Sequence, residues 1–85
     1  MYRVAYKKKA KRILSKLPRN HAWRIREKMD QIAMNPYEQH NNVTKLQDRP
    51  GYRLRVGDWR IIYEIYDGEL IVLVVKIAPR GSVYR

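Results

Sequence analysis

The amino-acid sequence predicts an α+β fold: an N-terminal strand, a two-helix hairpin, then a three-stranded antiparallel meander. The strands would form a four-stranded sheet with both helices on one face. Three observations carry this. Apolar residues recur at helical spacing from Ala10 to Ala33, period-two and continuous apolar runs replace them from Tyr52 onward, and Gly57-Asp58 and Asp67-Gly68 divide those runs at hairpin spacing.

The elements follow in order. "YRVAY", Tyr2 to Tyr6, alternates well enough for a strand that needs the later sheet for support. In "KKKAKRILSKL", Ala10, Ile13, Leu14 and Leu17 fall at i, i+3, i+4 and i+7 and make one apolar stripe, which Pro18 closes. Asn20 can cap a second helix with Ala22, Ile25, Met29, Ile32 and Ala33 on its buried face, ended by Asn35-Pro36. Tyr37 to Pro50 is polar and reads mostly as loop, with Val43 and Leu46 as anchors. Tyr52 to Val56, Trp59 to Tyr66 and Leu70 to Ile77 are β-rich. Gly57-Asp58 suits a type II′ turn and Asp67-Gly68 a type I′ turn. "ELIVLVVKI" is apolar on both faces, as a covered central strand would be. Pro79 and Gly81 interrupt that strand and leave Arg80 at its end. Length allows one domain, residues 1–85, and no repeat or linker is visible.

Composition points to a polyanionic partner. Nineteen Lys and Arg oppose eight Asp and Glu, a formal net charge of +11, which favours nucleic acid through counterion release. The absence of cysteine excludes disulfides and Cys-based zinc sites. No run approaches a membrane span, and the basic start has no apolar h-region behind it, so a cytoplasmic protein without a membrane partner is expected. His21, near a helix start, and His40, in a polar loop, read as ordinary surface residues, and no group of acids or histidines has metal-ligand spacing.

The hairpin "GYRLRVGDWR" concentrates that charge. Its two-residue turn sets Arg55 directly opposite Arg60, and alternation puts Arg53 on the same face, while Tyr52, Leu54, Val56, Trp59, Ile61 and Tyr63 take the other. Opposed like charges are destabilising, and only Glu64 shares the face to offset them. The opposing charge is expected from outside the chain. Lys7, Lys8, Lys9, Lys11 and Arg12 form a second basic group on the first helix, read either as a nonspecific grip on RNA or as a solvated face.

The order helix, helix, sheet, the block "GYRLRVGDWRIIYEI", the Asp-Gly hairpin followed by "IVLVVKI", and the ending "PRGSVYR" together resemble the RelE toxins of toxin–antitoxin pairs, within the RelE/ParE superfamily. The resemblance covers nearly the whole chain. It implies a messenger RNA endonuclease that enters the ribosomal A site, uses no metal or cofactor, is covered by a cognate antitoxin, and meets operator DNA only through the antitoxin complex. The family's active residues fall on Arg53 and Arg55, where some relatives have lysines, and on Arg60, Arg80 and Tyr84. A histidine that some relatives carry just before the tail arginine is replaced by Ala78-Pro79.

The implied chemistry is RNA cleavage by its own 2′-hydroxyl, which must lose a proton while the phosphorane charge is stabilised and the leaving 5′-oxygen is protonated. Arginine forks suit the phosphate, but arginine is never deprotonated and cannot serve as general base. A tyrosine such as Tyr84 would act as base only where nearby cations depress its phenol. Two other readings stay open: a ParE-like inhibitor of DNA gyrase, and a non-catalytic RNA-binding module.

Overall fold

The computed structural model describes residues 1–80. Its elements run β1 (Arg3–Tyr6), α1 (Lys8–Lys16), α2 (Arg19–Met34), β2 (Val43–Lys45), β3 (Tyr52–Val56), β4 (Trp59–Tyr66) and β5 (Ile71–Pro79). The sheet has five strands in the order β1-β5-β4-β3-β2, with β1 parallel to β5 and the other pairs antiparallel. The α+β class and the meander are as expected, and the strand count is corrected from four to five. The additional strand is "VTK" within the polar stretch, where Val43 pairs with Leu54 and Lys45 with Tyr52.

Alternation along the strands sorts the molecule into two layers. Leu54, Ile61, Tyr63, Val72, Val74 and Ile77 face the helices and pack with Ala10, Leu14, Ile25, Met29, Ile32 and Ala33 in one core. Ile13, expected in the α1 stripe, is 37% exposed, because only the Ala10 and Leu14 edge of that stripe meets the sheet. The helix starts carry no side-chain caps: Lys7 precedes α1, and Pro18, rather than Asn20, precedes α2. Neither first turn holds an acidic residue, so packing against the sheet rather than end chemistry sustains these helices.

The central strand explains its own sequence. Ile62 pairs with Lys76 but Tyr63 pairs with Val74, so Val75 is an extra residue, a β-bulge. The bulge resets the alternation, which turns Lys76 to solvent and Ile77 into the core. A strand apolar at consecutive positions therefore reflects a phase change as well as cover on two sides. Two turn details also differ from expectation. Four residues, 67–70, connect β4 to β5 with Leu70 at φ +53, instead of a two-residue type I′ turn. Pro79 ends β5 as a paired residue opposite Trp59, so the strand continues through it.

Candidate active site

The sheet face away from the helices carries the arginines. Arg55 lies opposite Arg60 and Arg53 opposite Ile62, in the register the turn requires, and Gly57 supplies φ +57 at the first turn position. Beyond a two-residue hairpin the second pair is not hydrogen-bonded to itself, and such pairs bring Cα atoms to about 4.5 Å. The Arg55 N–H accordingly points away from β4 and donates to the Asn42 carbonyl at 3.0 Å. The β2–β3 side of the sheet thus fixes the backbone beneath the arginine pair.

Arg60 pairs on its other side with Ala78. Two residues on, the Arg80 N–H donates to the Asp58 carbonyl at 2.7 Å, which ties the end of β5 to the β3–β4 turn. The backbone therefore gathers Arg53, Arg55, Arg60 and Arg80 around one end of the sheet. Ile62 and Ala78 are buried although they lie on this face. They are flanked in the register by Arg53, Arg60 and Lys76, whose aliphatic stems can cover such positions while their charges stay in water. Tyr84 lies outside the described residues.

The second basic group does not join them. Lys7, Lys8, Lys9, Lys11 and Arg12 are exposed on or beside α1, whose Ala10 and Leu14 are buried against the opposite side of the sheet. The molecule presents two basic surfaces, one on each layer. Trp59 faces the helices as expected, and its indole N–H approaches His21 Nδ1 at 3.4 Å. His21 is half-buried by this contact, so it is less a surface residue than its place in the sequence implied. His40 Nε2 lies 2.8 Å from the Asn35 carbonyl, closing the turn after α2. Among the described residues no group of three metal-ligating side chains converges.

A polar cluster sits at the other end of the sheet. Asp67 accepts hydrogen bonds from Tyr2 at 2.7 Å and from Tyr37 at 2.7 and 2.8 Å. Those bonds, Tyr2's first, hold the Asp67 carboxyl below its usual range, and the same carboxylate pushes the Tyr37 phenol up to about 12. Nothing in the spacing of residues 2, 37 and 67 signals this arrangement, and Asp67 read only as a turn residue. Tyr66 donates to Glu64 Oε1 at 2.5 Å, an i, i+2 contact on one strand face. That pair was within reach of the alternation rule.

Comparison with known proteins bears on this architecture. The family model described as the ParE toxin of the type II toxin–antitoxin system, parDE, matches residues 2–84. The RelE chain of an archaeal RelE–RelB complex from Pyrococcus horikoshii OT3 superposes with a TM-score of 0.80 at 32% identity, over 95% of this chain and 97% of that one. The isolated E. coli RelE toxin matches with a TM-score of 0.80 at 21% identity, over 99% of this chain and 92% of that one. The Mycobacterium tuberculosis complex RelBE2 gives 0.76 at 23%, over 93% and 98%. These last two likenesses are of fold. No curated protein sequence matches. Among the described residues no helix is long and apolar enough to cross a membrane.

Proposed function

This chain belongs to the ParE toxin family of type II toxin–antitoxin systems, within the RelE/ParE superfamily, and from that premise we propose that it is a ribosome-dependent messenger RNA endonuclease neutralised by a cognate antitoxin. The observation that carries the reading is the sheet face on which Arg55 opposes Arg60, with Arg53 beside them and Arg80 tied to the same hairpin. Guanidinium forks gathered on one face suit the phosphate of a messenger during action and acidic antitoxin side chains during repression.

Arg53 and Arg60 clamp the scissile phosphate bidentately, Arg55 adds positive charge, and Arg80 stabilises the phosphorane and shields the leaving oxygen. Tyr84 is the fifth active position that the family resemblance carries over to this chain. Lys7, Lys8, Lys9, Lys11 and Arg12 grip ribosomal RNA through its backbone, on the layer facing away from the messenger. The ribosome supplies alignment of the 2′-hydroxyl with the leaving oxygen, a contribution of orientation rather than of acid–base chemistry. The free protein is accordingly a poor nuclease.

Purified protein incubated with messenger, with and without programmed ribosomes, and mapped by primer extension tests this. Cuts confined to the A-site codon and dependent on ribosomes are expected. Arg60→Ala and Arg80→Ala should lower the rate by roughly 100-fold or more while keeping the fold. A second reading, a ParE-like inhibitor of DNA gyrase, is kept open by the match to the ParE toxin family. Inhibition of supercoiling by protein that leaves ribosome-bound messenger intact would establish that alternative.

A further inference from the structure

The arginine face lacks a proton acceptor among its arginines, because guanidinium holds its protons at any working pH. The strands that form the face supply one carboxylate, Glu64. It follows Arg60 by four residues on β4, so the two share a face and stand about 13 Å apart at Cα. Arg53 opposes Ile62, midway between them. A phosphate held by Arg53 and Arg60 therefore lies over Ile62, about 7 Å along the strand from Glu64.

Two features hold this carboxylate in place. Tyr66 donates to Oε1 at 2.5 Å and so fixes the plane of the group while leaving Oε2 for another partner. Gly51, at φ +111, lies so close that an added Cβ would stand 3.2 Å from Glu64 Cγ, and the backbone thereby confines the side-chain stem. Beside it is a recess of about 490 Å3 that passes Gly51, lined by Glu64 and Tyr66 from this face and by Tyr37, Lys45 and Tyr52 from the helix-facing side, with room for a nucleoside. Tyr66 offers a stacking surface and Lys45 a phosphate contact.

We propose that Glu64, oriented by Tyr66, is the proton acceptor for the attacking 2′-hydroxyl, with the ribose and base of that nucleotide seated in the adjoining recess. This rests on the endonuclease reading. The 2′-O–H bond breaks and its proton passes to Glu64 Oε2. The 2′-oxygen bonds to phosphorus, the bond from phosphorus to the 5′-oxygen breaks, and the leaving oxygen takes a proton from water. Glu64 then returns its proton to the hydroxide so formed. The products are a 2′,3′-cyclic phosphate and a 5′-hydroxyl, with no net consumption of water.

The test is single-turnover cleavage on programmed ribosomes over a series of pH values, with wild type, Glu64→Gln, Glu64→Asp and Tyr66→Phe. Thermal melting and antitoxin binding confirm that each variant folds. Glu64→Gln keeps an acceptor for Tyr66 and should slow cleavage by roughly 100-fold at neutral pH. Its rate should lose the acidic limb of the wild-type profile and climb with hydroxide. Glu64→Asp should recover part of the rate, and Tyr66→Phe should fall between wild type and Glu64→Gln. A folded Glu64→Gln with unchanged rate, or one that is slow yet keeps the acidic limb, overturns the assignment and leaves the endonuclease reading standing. Failure of the wild type to cut removes both.

Discussion

At Gly51 the backbone takes φ +111, a conformation that side chains with a Cβ rarely adopt, and an added Cβ would lie 2.7 Å from the Tyr63 carbonyl oxygen. The chain must turn sharply here to enter β3 at Tyr52, and the Leu46 N–H closes the preceding loop by donating to the Gly51 carbonyl at 3.0 Å. A residue at the mouth of the proposed site is thus fixed by two neighbours that cannot retreat. Gly51→Ala is expected to cost about 2 kcal/mol, from the disallowed φ together with the backbone clash. Urea unfolding followed by far-UV circular dichroism measures this, and a loss under a few tenths of a kcal/mol would mean the loop rebuilds easily. The adjacent Tyr63 shows how tightly the region is packed. It is fully buried, stacks on Tyr52 with ring centroids 5.4 Å apart, and burial pushes its phenol well above the ordinary value.

At the scale of elements, one extra residue shifts the phase of β5. Val75 has no partner on β4, and deleting it would bring Lys76 directly after Val74 and make the ladder Tyr63–Val74, Ile62–Lys76, Ile61–Ile77 continuous. Simple alternation from Val72 and Val74 then keeps the Lys76 ammonium outside and Ile77 in the core. Deletion of Val75 should therefore leave the chain folded without its bulge, whereas insertion of one alanine between Lys76 and Ile77 should turn Ile77 outward and leave the chain unfolded or aggregated. Near-UV circular dichroism and gel filtration separate the two outcomes. The same bulge marks where sequence reading reached its limit. The arginine register was legible, because Gly57-Asp58 dictates a two-residue turn and the turn dictates who faces whom. The apolar stripes of α1 and α2 were legible for the same reason, a strict local period. β2 was not, since three residues are too few to show a period and "VTK" is a strand only because β3 offers it an edge. The 67–70 turn was misread because Asp67-Gly68 satisfies a local rule, while strand register places Leu70 at positive φ instead. Asp67's tyrosine partners depend on contacts across 65 and 30 residues, which no local pattern encodes.

For the whole molecule, that Asp67 cluster does what a core cannot do in a chain this small. Tyr2 just before β1, Tyr37 after α2 and Asp67 between β4 and β5 come from three distant segments, and their hydrogen bonds join both layers at one end of the sheet. The opposite end holds the arginines, so the molecule is clamped at one end and concentrates its guanidinium charge at the other. The clamp has a pH signature on both sides. Asp67 ionises more readily when folded, chiefly through the Tyr2 hydrogen bond, so its stabilisation is complete above the ordinary carboxyl value of 3.8 and is lost as pH falls below it through the folded value. Tyr37 holds its proton to about 12 when folded, against 10.0 ordinarily. Its stabilisation is complete below the lower value and is lost between the two. Acid also protonates the other seven side-chain carboxyl groups and magnifies the repulsion of a chain already at +11, so a fall in melting temperature alone would not identify the clamp. Asp67→Asn isolates it, because the amide can accept a hydrogen bond but carries no charge to lose. The variant should melt below wild type at neutral pH, and the gap should close as pH drops below about 4. Tyr37→Phe should narrow the alkaline decline in the same way. A gap between wild type and Asp67→Asn that stays constant through the acid range would show that the Asp67 charge does not contribute, and that shape alone holds the three segments together.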